Sequence, residues 1–470
     1  MTAPVFMELL VFKLPHNSLL LKALVIGGLA ILMMIPLGMV EGLIAERASR
    51  RNEAIASVQA SFAGPQTVTL PFFVWPYVEQ WSEQTVDAAG RARVTPMSEQ
   101  KVLVWFADQA QAAVDVTVKN DRYRGIHRVR TYESTLAING AMTWPDRSQV
   151  KPSADGRRIV WGEPRLALPI SDVRGLRGTP AINFNDQPQR FREGTHVPML
   201  AAGLHVLLAD QAPAMGVRFS ISLELAGTER LAFAPTATSN AVTVKSAWRD
   251  PHFGGSYLPR DRTVTESGFS ADWAISALAS DVQQQVRQLA SQTQPDRRPQ
   301  QNAPSRLDTF EIDFIEAVNT YLLAERSTKH GAMIIVLVFG AMFLFDTLRA
   351  LNAHPVQYGF VGLALVIFFL LLLSLSEHVA FGAAYSIAAS SCTLLITYYL
   401  SYVLANRPRA LGFGCALAAM YATIYSILIA EGTALLMGSV LLFVMLAAAM
   451  IVTRKLDWRR IGPSMKPGEA

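Results

Sequence analysis

A chain of 470 residues is too long for one compact domain, and 51% hydrophobic with 17% charged residues is too apolar for an ordinary water-soluble one; its mean hydropathy is +0.25. The net charge of +5 is unevenly spread: residues 41–330 hold 32 Lys/Arg against 31 Asp/Glu, leaving 10 basic and 6 acidic groups for the other 180 positions. No basic block suits nucleic acid, and with both cysteines (Cys392 and Cys415) in apolar segments, no intrachain disulfide staples the charged middle.

Residues 1–22 read as a cytoplasmic N-terminus carrying Lys13 and Lys22. Residues 23–40 are uncharged, longer than the apolar core of a signal peptide, and lack a small-residue cleavage site before Glu41, Glu46 and Arg47. They predict an uncleaved transmembrane anchor. Ile44, Ala48, Arg51, Ile55, Val58 and Phe62 then recur at helical spacing, so 41–64 is expected to carry the helix out of the membrane as far as Gly64 and Pro65.

From residue 65 the period changes to two. In 217–225 (VRFSISLEL) apolar residues alternate with polar ones, the pattern of a half-buried antiparallel strand. Similar runs stand at 67–75, 101–106, 112–118, 131–138, 241–248 and 309–316, with turn clusters such as 151–156 and 174–180 between them. Residues 65–325 therefore predict a large all-β, sandwich-like domain, in which the polar, Pro-rich 292–306 is a loop or linker. Phe72, Phe73, Trp75 and Tyr77 fit core packing better than a glycan or lipid platform. His127, His196, His205 and His252 are scattered without metal-ligand spacing, and no nucleophile elbow, phosphate loop, H-E-x-x-H or C-x-x-C occurs.

Five more apolar runs follow at 331–348, 356–376, 379–405, 410–430 and 432–453, each long enough to cross a bilayer, before a basic tail at 454–470. The expected fold is a bundle of six transmembrane helices plus the β domain. Arg349 and His354, Arg407 and Arg409, and Arg454, Lys455, Arg459, Arg460 and Lys466 fall on one side, while the opposite turns carry Glu377, His378 and Glu431 without Lys or Arg. By the positive-inside rule both termini are cytoplasmic and the β domain is external. Asp346, three residues before Arg349, suggests an interfacial ion pair. On the outer face, Arg326, Lys329, His330, Glu377, His378 and Glu431 form a candidate docking cluster. In it Arg326 or Lys329 would pair with Glu377 or Glu431 and hold the β domain against the bundle. The alternatives are charges that simply face water and headgroups, or a metal or proton site built from Glu377, His378 and Glu431.

The stretch RSTKHG from Arg326, then FLFDTL, NAHPVQYGFVGLALVIFFLLLLSLSEHVAF, ITYYL at 396–400 and TRKLDW at 453–458 resemble the CreD family of bacterial inner-membrane proteins. The resemblance extends through 248–274 and the ER-containing stretch after the first helix, and is looser between about 80 and 215. It implies a Gram-negative inner membrane, with the external domain in the periplasm. It also implies a role in cell-envelope integrity under the CreB–CreC two-component system, with links to β-lactam responses and colicin tolerance. It implies no reaction. Three functions are left open: a non-enzymatic envelope protein that binds, senses or braces through its β domain, a small-molecule or lipid transporter, and an envelope-modifying enzyme. The partners expected are membrane lipids and a periplasmic or inner-membrane protein or a cell-wall ligand, with no nucleic acid and no cofactor. Oligomeric state is not legible.

Overall fold

The computed structural model describes residues 19–86, 92–125, 127–208, 216–291, 307–314, 320–349, 353–404, 406–430 and 434–453. The expected linker at 292–306, Glu431 and the tail at 454–470 lie outside these residues. The chain divides into two compact units: Met1–Arg50 with Val318–Ala470, and Arg51–Ala317.

The first unit is helical. Its elements are α1 (Leu19–Leu32), the start of α2 (Met34–Ser61), and, after the second unit, α4 (Thr320–Lys329), α5 (Gly331–Arg349), α6 (Pro355–Ser376), α7 (Phe381–Val403), α8 (Arg407–Ile429) and α9 (Ala434–Thr453). Among the described residues, four helical segments are long and apolar enough to cross a membrane: Leu21–Ser61, Pro355–Ser376, Phe381–Val403 and Arg407–Ile429. A fifth is reached if α4 and α5, bent by 41° where they meet, count as one span. The expected number was six; four to five are supported, and the charge-free α9 stands beside them. The core of this unit runs along α6, where Tyr358, Leu365, Phe368 and Phe369 are at most 1% exposed. Tyr421 of α8 lies 4.5 Å from Phe368 and accepts, through its carbonyl, the hydroxyl of Tyr385 on α7 at 2.8 Å. Gly362 is required where α5 crosses α6, because a Cβ there would meet the Phe339 ring.

The second unit is built of strands. The largest sheet has eight, in the order Asp261–Thr265, Gly268–Ser276, Ser239–Ser246, Gln109–Arg124, His127–Met142, Val217–Thr228, Leu176–Phe184 and Gln187–Gln189. All its pairings are antiparallel except Ser239–Ser246 with Gln109–Arg124. A six-stranded sheet contains the long hairpin Phe72–Val86/Ala92–Phe106 together with Arg158–Trp161, Arg165–Pro169, Arg192–Glu193 and Gly203–Leu207. A four-stranded sheet joins Gln66–Thr69, Arg230–Ala234, Phe310–Asp313 and His252–Gly255.

Alternation decides the facing: in Val217–Thr228 the odd positions to Leu225 are buried and Arg218, Ser220, Ser222 and Glu224 exposed. The main core joins Leu136, Ile138, Ile221 and Val244 to Phe233 and Phe310, with Trp273 stacked 4.7 Å from Phe310. Phe72, Phe73 and Trp75 are core, as read from their spacing, each at most 1% exposed. The all-β expectation misses α3 (Val282–Ser291), whose Val282, Val286 and Leu289 recur one turn apart and pack with Phe72, Val74, Val104 and Phe106. Three sheets and this helix replace the simple two-sheet sandwich.

Candidate functional site

Within the second unit, the last turns of α2 end in a ring of arginines. The last carbonyls of any helix lack intrahelical donors and carry the negative end of its dipole. At the end of α2, Arg174 Nη1 donates to the Ala60 carbonyl at 2.6 Å and Nη2 to that of Gln59 at 3.4 Å. Arg124 reaches the hydroxyls of Ser57 and Ser61, both at 3.3 Å. Arg122 and Arg177 lie 4.9 and 4.8 Å from the centre of the Phe62 ring, within cation–π reach. Asp172 orients Arg174, accepting from Nε at 2.9 Å and Nη2 at 2.6 Å, and also takes the Gly64 N–H at 3.0 Å. The Arg174 guanidinium holds the Asp172 carboxyl below the usual carboxylate range despite partial desolvation. Behind it, fully buried Gln66 donates to the carbonyls of Asp172 and Ala226 at 2.9 and 3.0 Å. The sequence showed Arg174 and Arg177 only as part of a turn cluster, because nothing local ties them to residues 57–62.

In the helical unit, Asp346 is 3% exposed and meets three groups from outside its own helix. Lys22 of α1 places Nζ 2.5 Å from Oδ2, the Tyr358 hydroxyl of α6 donates to Oδ2 at 3.3 Å, and the Ala353 N–H donates to Oδ1 at 3.2 Å. The side chain of Arg349 lies outside the described residues. A carboxylate in an apolar bundle needs a full set of donors, and an i,i+3 neighbour supplies one at most. The N-A-H-P-V-Q-Y motif explains the local geometry. His354 caps α6, accepting the Val356 N–H at Nδ1, Gln357 closes the capping box, and Pro355 sits in the first turn. That cap sets the start of the helix from which Tyr358 reaches Asp346.

Of the docking cluster Glu431 lies outside the described residues, and among the described ones neither Arg326 nor Lys329 meets Glu377. Arg326 is exposed, and Lys329 pairs with Glu325 one turn back at 2.9 Å. His330 lies at the bend between α4 and α5, and His378 is exposed. Glu377, the residue after α6, instead meets Arg47 of α2 at 3.8 Å and the Tyr321 hydroxyl of α4 at 3.3 Å. These partners all belong to the helical unit. The E-R stretch after the first helix and the S-E-H turn are thereby brought together.

The β unit houses its own charges. Glu79, 1% exposed, lies 3.1 Å from Lys101 and 3.3 Å from Arg157 and accepts from the Ser153 hydroxyl and N–H at 3.0 and 3.2 Å. Desolvation pushes its carboxyl up, but these donors together outweigh it and hold it below the usual value. Arg230 bridges Asp313 at 2.5 Å and Glu311 at 2.8 Å. Among the described residues, no three His, Cys, Asp or Glu side chains converge as metal ligands.

Comparison with known proteins covers nearly the whole chain. The family described as inner membrane protein CreD matches residues 18–459. The inner membrane protein CreD of Escherichia coli is 29% identical over 441 residues, covering 93% of this chain and 94% of that protein. Among solved structures, a nutrient-binding-type protein of Legionella pneumophila covers 58% of this chain and 79% of its own, at 6% identity and a TM-score of 0.29. An M1 zinc metallopeptidase of Deinococcus radiodurans covers 44% and 42%, at 9% identity and a TM-score of 0.18. At such scores neither fold nor activity carries over.

Proposed function

The chain belongs to the CreD family of inner membrane proteins, and from that premise we propose that it is a non-enzymatic, six-span protein that supports the cell envelope through a periplasmic β domain. Both termini lie in the cytoplasm, and α9 is the sixth span. The asymmetry of Arg407 and Arg409 against Glu377 and His378 supports this orientation.

The observation that carries the reading is the continuity of α2. One helix begins among the apolar spans and ends in the arginine ring of a separately packed β unit. The continuous helix carries the chain from one unit into the other and is held inside the β unit by side chains, which suits binding or bracing in the periplasm. In a variant lacking Cys392 and Cys415, a cysteine at exposed Ser267 should react with an impermeant reagent in intact cells, and one at Arg407 should not. Removing the gene should sensitise cells to β-lactams, and helices without the β unit should fail to restore tolerance. Labelling at 407, or restoration by the helices alone, would overturn the reading. The Lys22–Asp346 pair, with its carboxylate buried in the helical unit, favours a transporter instead. Substrate accumulation lost in Asp346→Asn, with the β unit dispensable, would decide for transport.

A further inference from the structure

The eight-stranded sheet buries one face in the main core and exposes the other. On the exposed face the register sets Gln111 opposite Asn139, Asn139 opposite Ser220, and Ser220 opposite Asn183. All four are exposed and uncharged, and among the described residues none is hydrogen-bonded to another side chain. They line one side of a shallow depression of about 460 Å³, whose rim carries Gln109 and the ion pair Arg218–Asp186 at 3.6 Å. The rim is placed by a tight turn in which Asn185 and Asp186 both take positive φ (46° and 62°), the two-residue hairpin geometry.

The next register row on the same face is Ala113, Ala137, Ser222 and Ala181, none reaching far above the sheet. Charge returns one row further on, at Asp115, Glu224 and Arg177. A strip about 7 Å wide and four strands long is thus flat, uncharged and edged by carboxamides. Three strand spacings make it about 14 Å long. Carboxamides each offer two donors and an acceptor, matching hydroxyl and N-acetyl groups, and bring no charge to pair with an ionised one. Phe219 is the aromatic residue in the lining, and it is turned into the core at 3% exposure, so binding here would rest on hydrogen bonds and not on stacking.

We propose that this strip binds the uncharged backbone of a β-1,4-linked, N-acetylated glycan strand laid across the four strands. Its sugar repeat is close to the strand spacing, so each residue of the row meets one sugar. The inference rests on the reading that this unit lies in the periplasm, and it names the ligand class for that reading.

The test uses the full chain in nanodiscs with N-acetylglucosamine oligomers of two, four and six sugars, followed by ligand-observed NMR. Binding in the millimolar range, about −4 kcal/mol, is expected for the tetramer. The dimer should bind at least fivefold more weakly, and the hexamer little better than the tetramer, because the row's hydrogen-bonding side chains end at Gln111 and Asn183, with Ala241 and Pro188 next on either side. Gln111→Ala combined with Asn139→Ala should weaken the tetramer at least tenfold. Ala137→Lys, which fills the shelf, should do the same, while Thr263→Lys at the edge of the same sheet should change nothing. Absence of tetramer binding, binding without length dependence, or equal affinity in Ala137→Lys and Thr263→Lys would overturn the proposal. The two readings fail separately. Impermeant labelling that places Ser267 inside the cell sinks the periplasmic role whatever the oligomers do, whereas no binding with Ser267 outside sinks only the glycan site.

Discussion

Asp346 in the helical unit and Glu79 in the β unit are both nearly inaccessible carboxylates, 3% and 1% exposed, yet the two units satisfy them differently. Among the described residues Asp346 has one cation, Lys22 of α1, plus the Tyr358 hydroxyl of α6 and the Ala353 N–H just before α6. Glu79 has Lys101 and Arg157 with Ser153 between them, and Glu99 shares both cations. Among apolar helices every donor must come from a specific distant element, so the network is sparse and losing one member strands a charge. On a sheet, neighbouring strands supply long side chains every few ångströms, and the loss is spread.

The sharpest way to break that contrast is to remove Lys22. Lys22→Met leaves Asp346 charged and buried and should cost about 4–5 kcal/mol. Asp346→Asn should cost less, on the order of 3 kcal/mol, because Lys22 is 30% exposed and can turn its ammonium toward water. The double variant should recover most of the loss. Thermal inactivation in detergent measures all three, and additive losses would show that the pair does not act as a unit.

Lys22 also shows where the sequence stopped being legible. Asp346 was recognisable as costly because it interrupts an apolar run, but the rule applied to it was local, and Arg349 was its neighbour on the same helix. Lys22 lies at the other end of the chain, and only packing brings it to Asp346. The strands of 217–225 and 131–138 were readable because period-two alternation is itself the record of burial on one side. Helix α3 was missed although Val282, Val286 and Leu289 have helical spacing, because four glutamines and an arginine dilute the signal over only ten residues. The arginine ring was invisible for the same reason as Lys22: its members and its target are joined by tertiary structure alone.

A second prediction tests the distributed side of the comparison. Glu79→Gln should destabilise the β unit by about 1.5–3 kcal/mol, less than Lys22→Met costs the bundle. The Glu79 carboxyl is held below its ordinary value in the folded state, so its stabilisation is complete above the unfolded pKa of about 4.3 and fades as pH falls through the lower folded value. The protection factors of the Phe72–Val86 amides in the full chain, with intrinsic exchange divided out at each pH, should therefore hold steady from neutral pH to about 5 and fall only in stronger acid. In Glu79→Gln that acid-dependent component should be gone; an unchanged acid profile would assign it elsewhere.

The grip on α2 should respond more mildly. Asp172→Asn removes the charge that orients Arg174 but leaves a side chain able to accept the Gly64 N–H, so about 1 kcal/mol is expected. The sign of the pH effect matches that of Glu79: the lowered folded pKa keeps the contact intact at neutral pH and releases it only below the usual carboxylate range. The readout is local, as faster exchange of the amides at 57–61 with the sheets unaffected. Equal loosening of the whole β unit would mean that Asp172 holds up the fold and not the helix end.

Glu377 should give the smallest effect, and it places the comparison at the surface of the helical unit. Its contact with Arg47 is 3.8 Å long and its partner is 38% exposed, so the pair resembles a surface salt bridge worth about 0–1 kcal/mol. Glu377→Gln should keep the Tyr321 hydrogen bond and lose only the Coulomb part, lowering the melting temperature by little and less still at high salt. Charge reversal separates Arg47 from the residues first read as partners. Glu377→Arg should be rescued in part by Arg47→Glu, where the two guanidinium and carboxylate groups exchange places, but not by Arg326→Glu or Lys329→Glu. Rescue through Arg326 would instead restore the docking cluster as it was read from the loops, and would require α4 to turn its exposed face toward the end of α6.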